Sequence, residues 1–274
     1  MQELAHWLPV IAALAAAGAA GGLLAGLLGV GGGIVIVPAL DFALQAAGLP
    51  VDVALHVAVA TSMATIVPTA LSSSRSHARR GSVDRDIVRH WTVPTVAGAA
   101  CGAFVAAQVD GRVLAAVFGT VALAAALKML LPLDDVVLRR GLPGGVAGAM
   151  IPAFIGAVSA MMGIGGGTLT VPTMTLCGVQ VHKAVGTAAA LGFWIALPAT
   201  LAFMLARPQV AGPLPPLTVG WVSLLGLALI APISWLVAPL GARLAHALDR
   251  RKLATAFGAF LLLVALRMWY RALG

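Results

Sequence analysis

Apolar residues in this chain run in long blocks, broken by glycine, proline and short polar clusters, with no alternation of period two. The blocks fall at about 8–28, 33–47, 53–72, 87–108 and 111–131, then at about 143–162, 168–178, 183–206, 216–240 and 252–272. Most approach the ~20 residues that carry a helix across the hydrocarbon core. Two of them, 33–47 and 168–178, are too short to span as straight helices, and both follow a glycine cluster. The pattern predicts an all-α polytopic membrane protein in which two short helices begin at glycine breaks near the membrane centre.

Composition supports this. The 274 residues are 61% hydrophobic and 9% charged, with a mean hydropathy of +1.02, whereas a soluble domain carries about 25% charged residues. Apolar surface in that excess must face lipid. A soluble enzyme, a nucleic-acid binder and a disordered regulator are excluded together. The net charge of +8 is topology information, because Lys and Arg collect in the loops on the cytoplasmic side. Cys101 and Cys177 lie in apolar runs without metal-like spacing and read as buried thiols, so no metal and no cofactor is expected. Glu3 precedes the first apolar run and no Lys or Arg occurs before Arg75, which suits a retained first span better than a signal peptide.

The two sets of blocks are related. Leu28-Gly29-Val30-Gly31-Gly32-Gly33 matches Met162-Gly163-Ile164-Gly165-Gly166-Gly167, and Val37-Pro38 matches Val171-Pro172, both at an offset of 134. His56 to Thr61 matches His182 to Thr187 at an offset of 126. Gly102 to Met129 aligns without gaps on Gly241 to Met268, pairing Asp110 with Asp249 and Phe118-Gly119 with Phe257-Gly258. The chain divides into an N-terminal membrane repeat, 1–132, a charged linker, 133–142, and a C-terminal membrane repeat, 143–274. Each repeat has about five helical segments.

Charge orients the repeats. With five crossings per half and the N-terminus outside, 13 of the 17 Lys and Arg residues fall inside and 4 outside; four crossings per half give 11 and 6. The positive-inside rule favours the first arrangement, in which the repeats are inverted. Inverted repeats carrying paired, glycine-interrupted segments are a signature of secondary transporters.

The glycine clusters are the strongest chemical signal. A helix cannot run through Gly-x-Gly-Gly-Gly, since each glycine costs about 1 kcal/mol against alanine there. Broken helices survive in a bilayer only where they are buried or line a cavity. A short helix after the break presents free amides and the positive end of its dipole, which suits an anion. Gly29, Gly31, Gly32 and Gly33 and, in the second half, Gly163, Gly165, Gly166 and Gly167 are therefore candidate substrate-binding positions. Pro38 and Pro172 fit near the helix starts. Gly22-x-x-x-Gly26 and Gly98-x-x-x-Gly102 read instead as close helix packing.

Hydroxyls beside the breaks can donate to an anion without burying charge. They are Thr61, Ser62, Thr168 and Thr187. Asp41, His56 and His182 are candidates for proton coupling, because ionisable groups inside the membrane are functional candidates by default. His56 and His182 also suit solvated loop edges, and His77, among Arg75, Arg79 and Arg80, suits a solvated basic loop. Catalysis has no visible apparatus: G-x-S-x-G, H-E-x-x-H and G-x-G-x-x-G are all absent.

With these motifs in order, the chain resembles the sulfite exporter TauE/SafE family. The resemblance rests on Gly29-Val30-Gly31-Gly32-Gly33 with Pro38, Ala60-Thr61-Ser62, His77-Ala78-Arg79-Arg80-Gly81-Ser82-Val83-Asp84, Gly163-Ile164-Gly165-Gly166-Gly167 with Pro172, and His182 to Thr187. It implies a multi-pass permease of the bacterial inner membrane for sulfite, sulfoacetate or other organosulfonates, in a family whose members differ in substrate and direction. Together with the paired repeats, the expectation is an exporter that works by alternating access. An anion channel, or an uptake permease for another small carboxylate or sulfur anion, is the alternative. The second half departs from the pattern: Ala188 follows Thr187, and no counterpart of the His-x-x-x-Gly-x-Val-Asp stretch is evident there.

Overall fold

The computed structural model describes residues 2–28, 32–131, 137, 139, 141–208, 214–244 and 250–273, without the side chains of residues 2–13, 28, 242, 250–254 and 256. The described chain is helical apart from one two-stranded hairpin. In the first half are α1 (Gln2–Leu28), α2 (Gly33–Ala46), α3 (Val51–Ala78), α4 (Arg85–Ala106) and α5 (Gly111–Leu130). The second half holds α6 (Gly145–Met162), α7 (Gly167–Leu176), α8 (Val181–Leu205), α9 (Leu224–Leu244) and α10 (Arg250–Leu273). The antiparallel strands β1 (Thr218–Val219) and β2 (Val222–Ser223) stand just before α9. Most of the linker 133–142, and Gly29 and Gly31 among the candidate positions, lie outside the described residues.

Five described helices are long and apolar enough to cross a membrane: Val51–Ala78, Gly111–Leu130, Gly145–Met162, Val181–Leu205 and Leu224–Gly241. In α3, 89% of the most apolar window is buried, against 28–50% in the other four. That helix is the centre of the molecule. Phe104, Met150, Phe154 and Leu263 are exposed on outer helices, where lipid is the only medium that accommodates a surface so apolar.

Helix packing repeats between the halves. The strongest pairs are α1 with α9, α4 with α6, α5 with α10, and α3 with α8. Exchanging the halves maps α1–α9 onto α6–α4 and leaves the other two pairs unchanged. Individual contacts follow. A Cβ on Gly22 would meet the backbone of Ser234 and one on Gly156 the backbone of Thr95, while Gly102 abuts Ala157 and Gly241 abuts Leu23. The small residues let backbones touch, as expected for Gly22, Gly98 and Gly102.

Several boundaries differ from expectation. The block 216–240 enters its helix only at Leu224, because Pro215, Pro216 and the left-handed Leu217 (φ 55°) set up the hairpin first. Helix α3 continues to Ala78 through Ser72–Arg75, a stretch that reads as loop. Ser72 and Ser73 donate there to the carbonyls of Trp235 and Ala25. His77 is thereby buried rather than solvated, with Nε2 3.0 Å from the Gly26 carbonyl. Pro38 and Pro172 sit inside α2 and α7 instead of at their starts, so the carbonyls of Ile34 and Thr168 lose their helical donors. Cys101 is exposed on α4 and Cys177 is half-buried.

Candidate functional site

Each broken helix begins on a left-handed glycine. Gly32 (φ 75°) caps α2 and Gly166 (φ 77°) caps α7, a conformation that costs an L side chain about 1–2 kcal/mol. Before α7, helix α6 ends in a Schellman turn: Gly163 (φ 69°) donates to the Ala160 carbonyl and Ile164 to that of Ser159. Helix α7 then opens with Leu169 and Thr170 both donating to the Gly166 carbonyl. The amides of Gly167 and Thr168 lie ahead of that first turn, free of helical partners.

The breaks meet across the halves. A Cβ on Gly33 would collide with the Gly163 carbonyl and lie 2.9 Å from Ser62 Oγ. Gly163 packs against Val37 and Val59, and Gly165 faces Gly192. Gly33, the turn from Gly163 to Gly166 and the middle of α3 therefore form one buried junction.

The hydroxyls tie the halves together. Ser62 Oγ donates to the Gly163 carbonyl at 2.7 Å. Thr61 Oγ1 accepts from the Ser223 amide and Thr187 Oγ1 from the Asp84 amide, both at 2.9 Å. Ser223 and Asp84 directly precede α9 and α4, and each side chain accepts from amides in the turn that follows. Each half thus holds the start of the other half's fourth helix. Gly81-Ser82-Val83-Asp84 has its counterpart in Gly220-Trp221-Val222-Ser223, again at offset 139, with Gly81 and Gly220 both left-handed. Of the His-x-x-x-Gly-x-Val-Asp stretch the second half keeps only the Gly and the Val, with Pro216 in the place of His77 and Ser223 in that of Asp84.

Around the start of α7 the polar groups are of another kind. Ser159 Oγ and Thr170 Oγ1 lie 3.6 and 3.5 Å from where a Cβ of Gly166 would stand. Ser159 is fully buried and Thr168 is 8% exposed. Theirs are the buried hydroxyl oxygens without a hydrogen-bond partner among the described residues. Ser159 drew no attention in the sequence because a single serine in an apolar helix commonly bonds back to its own backbone.

The ionisable candidates sit apart from the junction. Asp41 lies about 12 Å along α2 from Gly33. It is 1% exposed and takes two hydrogen bonds at 2.7 Å from one nitrogen of Arg271, with a third from Gln45 at 2.8 Å. A second guanidinium nitrogen donates to the Val51 carbonyl. Asp41's repeat partner, Thr175, instead meets Lys128 Nζ at 3.4 Å. His56 is buried within α3, not at a solvated loop edge, and stacks on Trp221 with centroids 4.5 Å apart. Its Nδ1 is 2.8 Å from the Asp52 carbonyl and its Nε2 is 3.0 Å from that of Val109. Carbonyls only accept, so both contacts are hydrogen bonds only when both ring nitrogens carry protons. His182 is exposed on α8. No cluster of His, Cys, Asp and Glu suited to a metal ion occurs among the described residues.

The family model for the sulfite exporter TauE/SafE matches residues 14–268, nearly the whole chain. The chain belongs to the TauE/SafE family. It is 32% identical over 259 residues to a probable membrane transporter protein of Haemophilus influenzae, covering 93% of this chain and 96% of that one. It is also 26% identical over 277 residues to the probable membrane transporter protein YunE of Bacillus subtilis, covering 92% and 96%. No solved structure matches this TauE/SafE chain. A multi-pass membrane protein of a transporter family is what fold and kinship together give.

Proposed function

We propose that this TauE/SafE protein is a secondary transporter that exports small sulfur-containing anions, such as sulfite, sulfoacetate or other organosulfonates, by alternating access between residues 1–132 and 143–274. The observation that carries the reading is the buried junction of the two glycine breaks. Helix ends with unspent amides stand there at the contact between the halves, where an anion can be held and where relative motion of the halves would change its exposure.

The repeats are read as inverted. Supporting this, Thr61 and His56, early in α3, meet Ser223 and Trp221 beyond the end of α8, while Gly186 and Thr187, early in α8, meet Ser82 and Asp84 beyond the end of α3. Contacts in that order belong to antiparallel helices. The alternation of Lys and Arg between loops agrees.

Coupling to protons is assigned to His56, whose ring stands between two carbonyl acceptors. Outward movement of a monovalent anion is also favoured by an inside-negative potential, at about 2.3 kcal/mol per 100 mV. The test is flux of labelled sulfite and small organosulfonates into proteoliposomes, with and without an imposed pH gradient. Saturable, gradient-sensitive flux is expected. No flux for any sulfur anion would overturn the substrate class.

A further inference from the structure

The two halves differ in one respect that packing does not require. At offset 134, Ser159, Thr168 and Thr170 correspond to Ala25, Ile34 and Ile36. The three first-half residues are fully buried, so the core accepts apolar side chains at these positions. Yet the second half buries hydroxyls there, and those of Ser159 and Thr168 have no hydrogen-bond partner. Burying a hydroxyl unpaired costs about 1–3 kcal/mol, a cost the first half shows to be avoidable.

We infer that the anion is seated on one side only, on the N-terminal amides of α7 with the hydroxyls of Ser159 and Thr168, while at α2 the matched positions Ala25, Ile34 and Ile36 are apolar and the neighbouring Ser62 hydroxyl is spent on the Gly163 carbonyl. This rests on the transporter reading above and specifies its site. Ser159 Oγ lies at the helix cap, 3.6 Å from the Cβ position of Gly166, and Thr168 is in the first turn. Gly163 to Thr170 and Gly29 to Gly33 contain no charged side chain. The seat therefore offers neutral donors and about half a unit of positive helix-end charge. Desolvation of an ion grows with the square of its charge, so a headgroup bearing one negative charge fits and one bearing two does not; a second charge elsewhere on the substrate, as in sulfoacetate, lies outside the seat. Sulfonate headgroups, each singly charged, are what this selects.

The test uses the full chain purified in detergent, with methanesulfonate as the singly charged probe and methylphosphonate at alkaline pH as the doubly charged one. Ser159→Ala and Thr168→Val should each weaken methanesulfonate binding roughly tenfold, since each removes a donor to a charged group. Ala25→Ser and Ile34→Val should leave binding within about twofold. Without probe, Ser159→Ala and Thr168→Val should unfold at the same or higher temperature than the wild type, because an unpartnered hydroxyl has gone; a merely structural role predicts a lower one. Unchanged methanesulfonate binding in the Ser159→Ala, Thr168→Val double variant would overturn the one-sided seat and leave the transporter reading standing. Tighter binding of the dianion would overturn the charge selection. Wild-type protein that binds neither methanesulfonate nor sulfite would overturn both readings.

Discussion

Ser62 of the first half donates its hydroxyl to the carbonyl of Gly163 in the second, at 2.7 Å and fully buried. One bond thus joins the central helix α3 to the turn from which α7 departs. Removing the donor leaves a buried carbonyl without its partner. Ser62→Ala should cost about 1–3 kcal/mol and lower the thermal unfolding midpoint in detergent, while Ser62→Thr keeps the donor and should recover part of the loss.

Thr61 and Thr187 are matched residues performing matched tasks, each accepting the amide that opens the other half's fourth helix. Thr61→Val and Thr187→Val should therefore destabilise by similar amounts, about 1–3 kcal/mol each. The effects should add, because the sites share no partner. Unfolding of the two single variants and the double variant checks this, and a loss confined to one of them would break the equivalence.

Asp41 faces a guanidinium that is always charged, in a buried setting. Its geometry is that of an ion-pair lock between α2 and α10. Asp41→Asn strands the charge on Arg271 and should cost about 3–5 kcal/mol, whereas replacing both residues together by Leu and Met should restore most of the stability. Yield and unfolding temperature report the outcome. A stable Asp41→Asn protein that has lost only its response to a pH gradient would return Asp41 to the coupling role.

His56 and His182 are paired by sequence but not by surroundings. His56 is stacked and held between two carbonyls, while His182 is exposed. His56→Gln should abolish the gradient dependence of flux, and His182→Gln should preserve it. Proteoliposomes with an imposed pH gradient separate the two.

Much of this was legible in the chain. The two glycine clusters, the short helices after them and the five-segment repeats follow from block lengths and from residues that recur at constant offsets. Partners of Thr61 and Thr187 were not legible, since the bonds join residues 162 and 103 positions apart and only packing brings them together. Gly220-Trp221-Val222-Ser223 escaped notice because just Gly and Val survive in it and the offset changes from 126 to 139 between α3 and α4. His77 looked solvated because Ser and Arg surround it, yet no Gly or Pro occurs between Pro68 and Gly81 to end α3 sooner. Ser159 was invisible for a simpler reason: its meaning lies in lacking a partner, which a sequence does not record.

Transport by a carrier is most directly tested by counterflow. Proteoliposomes are loaded with unlabelled sulfite, and entry of labelled sulfite from outside is followed. A carrier that exposes one site alternately to each side predicts entry several-fold faster into loaded vesicles than into empty ones, saturating with outside concentration. Entry that ignores the internal sulfite and rises without saturation would contradict alternating access and make the junction of the two breaks a pore.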